Sequence, residues 1–139
     1  MKFTQDSGPA GYIIRAYAPG RITVAYPPDV AVAQHERPVL QEEYLSASFI
    51  ISPRTLLRDW APQSFDELLE EHLQTLLTLE PELVLLGTGA KIRFPRSVWL
   101  AAFHQRGIGV EVMDLGAVCR TYNVLMAEGR NVVAGILAR

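Results

Sequence analysis

The chain has 139 residues, of which 49% are apolar and 20% charged, and a net charge of −2 at neutral pH. This balance predicts one globular domain over 1–139 and excludes both a disordered chain and a general nucleic-acid-binding surface. One cysteine cannot close an internal disulfide, no apolar run approaches the roughly 20 residues of a membrane span, and no signal-peptide pattern opens the chain, so the expected location is the cytoplasm.

Residues 1–10 read as a flexible tail. Tyr12 to Tyr17 is rich in β-branched and aromatic residues and predicts a strand. Pro19-Gly20 supplies a turn, because proline presets φ and glycine accepts a positive one. Arg21 to Tyr26 then returns as the second arm of a β-hairpin over 12–26. The stretch 29–44 is polar and broken by proline, which predicts a loop with edge pairing at most. Tyr44 to Ile51 predicts one further strand, stopped by Ser52-Pro53. Leu56, Leu57 and Trp60 are expected to cover an edge of the core.

Ser64-Phe65-Asp66-Glu67 has the pattern of a capping box, in which the serine hydroxyl accepts from the Glu67 amide and the glutamate reaches back. Phe65, Leu68, Leu69, His72, Leu73, Leu76 and Leu77 recur at helical spacing, so a helix is expected over 65–79, ended by Pro81. His72 would be a packed or half-exposed residue of that helix, since no second metal ligand stands one turn away.

Leu83 to Leu86 is a short apolar run typical of a strand covered on both faces, ended by Gly87-Thr88-Gly89. Phe94-Pro95 would open a second helix, with Trp99, Ala102 and Phe103 on one face and Gly107 at its end. Gly109 to Met113 predicts a strand, Ala117 to Ala127 a third helix, and Val132 to Leu137 a final strand. The alternation of strand and helix from residue 83 onward predicts crossover connections. The expected fold is α/β: a mixed central sheet with flanking helices, plus the N-terminal hairpin and additional strands.

Charge is unevenly placed. Asp59 to Ala90 holds seven acids and no lysine or arginine. Lys91 to Arg106 holds Lys91, Arg93, Arg96 and Arg106 and no acid. The acidic block fits a solvated helix face. The basic block follows a glycine loop at the C-terminal end of a strand, where ligands bind in open α/β sheets.

Gly87-Thr88-Gly89 shares the opening of a dinucleotide-binding loop, but Ile92 stands where the third glycine belongs. Two readings remain open. One is a tight strand-to-loop turn; the other is an anion loop made by the Gly87 and Gly89 amides with Lys91, Arg93 or Arg96. Cys119, beside Arg120 near the start of a helix, is the nucleophile candidate by type, and it equally suits a buried apolar position. Asp114 is placed to cap that helix. Arg120 and Asn123, three apart, share a side of it, with Tyr122 between them. They form either an interface face or a polar pocket beside Gly87. The histidines His35, His72 and His104 fit no metal spacing, and neither a Ser-His-Asp nor a paired-carboxylate pattern is present.

Several of these segments together resemble one family. They are Pro81 to Gly89, Arg93-Phe94-Pro95, Gly107 to Asp114, Ala117 to Leu125 and Glu128-Gly129-Arg130. The family is the small domain of unknown function shared by bacterial and archaeal proteins and by the mitochondrial complex I (NADH:ubiquinone oxidoreductase) assembly factor 3. The close likeness covers 81–137, and the hairpin, the strand at 45–51 and Trp60 fit more loosely. The resemblance implies a compact α/β domain with no established catalytic activity, metal or cofactor. It points to Gly87, Gly89, Asp114, Cys119, Arg120 and Asn123 as the positions at which to look for a site. The expected function is partner-protein binding, like that of an assembly factor. The alternative is a small-anion or nucleotide-binding enzyme, with Gly87, Gly89, Arg120 and Asn123 on the anion and Cys119 as the reactive group.

Overall fold

The structure, a computed structural model, describes residues 11–27 and 40–139. The tail expected at 1–10 and the part of the expected loop at 29–39 lie outside the described residues.

The hairpin forms as expected. Strand β1 (Ile13–Ala18) and strand β2 (Arg21–Tyr26) are antiparallel, and Gly20 turns the chain between them at φ 75°. Strand β3 (Gln41–Leu45) pairs with β2, which completes a three-stranded antiparallel sheet with β3 at one edge. A second sheet is built from β4 (Phe49–Ser52), β5 (Thr55–Leu57), β6 (Leu83–Gly87), β7 (Gly109–Met113) and β8 (Val132–Ile136). Its order is β5-β4-β8-β6-β7. Strand β6 runs parallel to both β7 and β8, whereas β4 is antiparallel to β8 and to β5. The central sheet is therefore mixed, as expected.

Three helices, α1 (Glu70–Leu77), α2 (Ala101–Gln105) and α3 (Leu115–Ala127), cover this sheet. Side chains alternate along the strands, so each strand serves two cores. On one face Phe49, Ile51, Leu85 and Ile136 meet Val118 and Tyr122 of α3 and Ile14 and Val24 of the smaller sheet. On the other face Ile50, Val84, Leu86 and Val133 meet Leu73 and Leu76 of α1, Phe103 of α2, and Trp60. The connections β6-α2-β7 and β7-α3-β8 step in opposite directions across the sheet. Their helices lie on opposite faces, as connections of one hand require.

Three expectations need correction. The strand expected over 44–51 is two strands in two different sheets. Leu45 pairs with Ile22 in the smaller sheet, and Phe49 pairs with Ile136 in the larger one. Ser48 makes the break. It is fully buried, and none of its polar groups is spent on a ladder. Its amide donates to Gln63 Oε1 at 3.1 Å and its carbonyl accepts from the Trp60 amide at 3.1 Å. Its hydroxyl accepts from the Ala138 amide at 2.7 Å.

The helix expected over 65–79 is a short 3₁₀ turn (Phe65–Glu67) followed by α1, which starts at Glu70. The Ser64 carbonyl, not its hydroxyl, accepts from the Glu67 amide, and the Glu67 side chain accepts from the Gln63 amide at 2.9 Å. The true cap is His72, whose Nδ1 accepts from the Leu69 amide at 2.9 Å. Helix α2 likewise starts later than expected. Pro95 precedes a 3₁₀ turn (Ser97–Leu100), and α2 itself spans 101–105. The expected end is in place: Gly107 takes φ 72°.

A bidentate pair from Arg58 to Glu43 ties β3 to the segment after β5, and so fastens the two sheets together. The guanidinium's hydrogen bonds hold the Glu43 carboxyl below its ordinary range.

Candidate functional site

The strands ending at Gly87 and Met113 are neighbours, so the glycine turn does sit beside the start of α3. The turn is stitched there by backbone bonds: the Thr88 amide donates to the Met113 carbonyl at 2.9 Å and the Leu115 amide to the Gly89 carbonyl at 2.8 Å. Both glycines answer to packing. A Cβ on Gly87 would lie 2.6 Å from a methyl of Val118, so its absence lets α3 close on the sheet. Gly89 takes φ 89°, and a Cβ there would meet the Arg139 backbone at 2.8 Å.

Asp114 caps α3 as expected, its Oδ1 accepting from the Ala117 amide at 2.9 Å. Arg120 and Asn123 do share a side of α3, and β1 is what meets them. The Arg120 Nη1 donates to the Tyr17 hydroxyl at 2.7 Å. The Asn123 amide spans one residue of β1: its Oδ1 accepts from the Ile14 amide at 2.9 Å and its Nδ2 donates to the Ile14 carbonyl at 2.7 Å. Tyr122, fully buried, donates its hydroxyl to the Tyr12 carbonyl at 2.8 Å. With about 100° per residue, Arg120 and Asn123 lie roughly 140–200° around α3 from Val118, the residue that Gly87 touches. Gly87 and the Arg120–Asn123 pair thus lie on different sides of the helix, while Gly89 bonds the Leu115 amide at its start.

Cys119 is 1% exposed and packs in the core between α3 and the sheet. Burial pushes its thiol up to about 12, and the opposing pull of the Arg120 charge is smaller. At neutral pH it is a neutral thiol out of reach of solvent. Iodoacetamide should leave Cys119 unmodified in the native protein and label it fully in denaturant; mass spectrometry after a timed exposure reads the difference. Labelling at the same rate in both states would put the thiol at the surface. The pH dependence has a definite sign. The folded chain keeps a proton on Cys119 that the unfolded chain releases above its ordinary value of 9.0, so this group costs stability as pH rises from about 9 to about 12.

Among the described residues no group of three or more His, Cys, Asp or Glu is placed to hold a metal ion. Concave surfaces of useful size lie elsewhere, and two of them are lined by charged or aromatic residues. One of about 520 Å³ sits at the N-terminal ends of the parallel strands, with Arg54, Glu82 and Arg130 at its rim. One of about 210 Å³ lies between Phe65 and Leu68 on one wall and Phe94, Pro95 and Trp99 on the other. Sequence reasoning passed over the second groove because it placed Phe94 at the start of a helix. The available signal was three large apolar residues, Ile92, Phe94 and Val98, interleaved with cations in an acid-free stretch.

A family model described as "Protein of unknown function (DUF498/DUF598)" matches residues 14–137. The chain belongs to this family. Its relatives include the rat NADH dehydrogenase [ubiquinone] 1 alpha subcomplex assembly factor 3, 33% identical over an alignment 123 positions long that covers 78% of this chain and 66% of that protein. The chain thus spans just under two thirds of that assembly factor. A second relative, the 13 kDa major membrane protein of Francisella tularensis, is 28% identical over an alignment 109 positions long that covers 70% of this chain and 89% of the other. A solved structure, the crystal structure of a Bordetella parapertussis protein, superposes with a TM-score of 0.72 at 30% identity, over 94% of this chain and 98% of that one. The mixed α/β architecture is therefore shared with a solved relative. No helix among the described residues is long and apolar enough to cross a membrane.

Proposed function

We propose that the chain is a partner-binding domain of the assembly-factor kind, acting in the cytoplasm on the assembly or maturation of a membrane-associated complex. The observation that carries this reading is the relation to assembly factor 3, a protein named for assembly of an NADH dehydrogenase subcomplex. The geometry is consistent with it. Asn123 and one donor of Arg120 are spent on holding β1 against α3, and among the described residues no buried side-chain polar atom lacks a partner. A catalytic site usually holds such groups in reserve for substrate. The small-anion or nucleotide-binding enzyme draws no support from this arrangement, since Gly87 packs on Val118 while Arg120 and Asn123 bond β1, and Cys119 is buried.

The test is deletion of the gene in its own host, followed by native electrophoresis of detergent-solubilised membranes. A specific complex should fall in abundance while its free subunits or subassemblies accumulate, and the wild-type gene supplied in trans should restore it. Unchanged amounts of every membrane complex would overturn the proposal.

A further inference from the structure

We propose that the groove between the 65–69 turn and the 94–99 segment is where a partner protein docks, and that it receives an apolar side chain flanked by carboxylates. This rests on the partner-binding reading above and names the face that reading would use.

Apolar exposure is concentrated here. Eight large apolar side chains are exposed among the described residues; three of them, Leu69, Phe94 and Val98, belong to these two segments, and a fourth, Ile92, lies two residues before the second. Phe94 is the most exposed of all, at 73%. Isolated exposed apolar residues need no explanation, but a group of them beside a concave surface marks an interaction site. The groove, about 210 Å³, has room for a large side chain between Phe65 and Leu68 on one wall and Phe94 and Trp99 on the other.

Both walls are braced without a partner. The hydroxyl of Thr88, a buried residue, donates to the Lys91 carbonyl at 2.6 Å and accepts from the Arg93 amide at 3.1 Å, which fixes the loop leading into the groove. Arg93 then crosses to the other wall. Its guanidinium lies 4.4 Å from the centre of the Phe65 ring, and Nη2 is 3.0 Å from Asp66 Oδ1. A surface held in its binding shape loses less entropy on association.

Charge selects the occupant. Arg93 is engaged within the fold, whereas Lys91 and Arg96 are exposed and form no ion pair among the described residues. The opposite wall and the first turn of α1 expose Glu67, Glu70 and Glu71. A protein segment can place carboxylates on the Lys91 and Arg96 side alone and keep them off the acidic side. An anionic membrane would present negative charge to both, and its flat surface would leave the groove unfilled. The observations therefore favour a protein over a lipid surface.

The experiment replaces Phe94 by a photo-crosslinking benzoylphenylalanine in the full chain, expressed in its own host. A control chain carries the same group at Val124, an exposed residue of α3, which covers the opposite face of the sheet. Irradiation should give an adduct at Phe94 that peptide mapping assigns to a partner segment holding both apolar and acidic residues. Joint Lys91→Glu and Arg96→Glu substitution, with an unchanged circular-dichroism spectrum, should cut the yield about tenfold, because like charges across an interface oppose association. An adduct to lipid, to a second copy of this chain, or to a segment without acids would overturn the proposal, as would a yield indifferent to the charge reversals. Protein adducts at Val124 alone would remove the groove and leave the partner-binding reading standing. No protein adduct at either position would remove both.

Discussion

Asn123→Ala should lower the free energy of unfolding by about 2–4 kcal/mol, with its urea midpoint reduced at an unchanged slope. The size follows from what is left behind. Among the described residues Asn123 is the sole side chain bonding the backbone groups of Ile14, and Ile14 is only 4% exposed. Its removal strands a donor and an acceptor, each costing roughly 1–3 kcal/mol when buried without a partner. Asn123→Asp should fare no better: the carboxylate keeps the bond from the Ile14 amide but faces the Ile14 carbonyl with a second acceptor. Hydrogen exchange gives the sharper readout, because the Ile14 amide should lose protection more than amides of β6 or β8 do. A variant with wild-type stability and wild-type exchange at Ile14 would return Asn123 to the list of candidate ligand-binding residues.

Gly135→Ala is expected to cost about 2–3 kcal/mol, a large penalty for one methyl group. Gly135 sits in β8, in the middle of the five-stranded sheet. A Cβ there would lie 2.7 and 2.9 Å from two ring carbons of Trp60 and 3.4 Å from a Leu76 methyl. The Trp60 ring cannot give way freely. It is 4% exposed, and its Nε1 donates to the His72 carbonyl at 3.3 Å. Overpacking of this kind typically costs 1–3 kcal/mol. The interpretation is checked by a double-mutant cycle with Trp60→Leu. In that background the smaller side chain makes room, so Gly135→Ala should be close to neutral, giving a coupling of about 2 kcal/mol. Additive losses would mean that the glycine is required for its backbone instead.

Much of this architecture is legible in the sequence because its signals are local. Leu83–Leu86, Gly109–Met113 and Val132–Leu137 are short apolar runs bounded by glycine or a turn, and each becomes a strand. Pro19-Gly20 and Gly107 announce their turns through backbone geometry that few other residues accept. Asp114 caps the helix that starts at the next residue, through an amide three residues on. What escapes the sequence is set by partners far along the chain. The apolar run Leu45-Ser46-Ala47-Ser48-Phe49 carries no breaker, and the change of sheet at Ser48 depends on Gln63 and Ala138, 15 and 90 residues on. The helical spacing from Phe65 is genuine, but Leu68 is buried before α1 begins, and His72 supplies the cap that the pattern assigns to Ser64. The candidate site shows the same division. That Arg120 and Asn123 share a side of a helix follows from their spacing. That the side is filled by Tyr17 and Ile14, 103 and 109 residues earlier, does not.

The position of β8 has a consequence for biosynthesis. This strand lies between β4 and β6, and both of them leave the ribosome long before it does. Until β8 is made, the β4–β5 hairpin and the β6–β7 pair are separate fragments, each with an open hydrogen-bonding edge and apolar residues on both faces. Such edges recruit strands from other chains. The nascent protein therefore passes through a vulnerable interval that ends only when Val132–Ile136 slides between the two fragments. Slow translation between residues 113 and 132 should prolong that interval and raise the share of chains that aggregate, at no cost to the stability of those that finish.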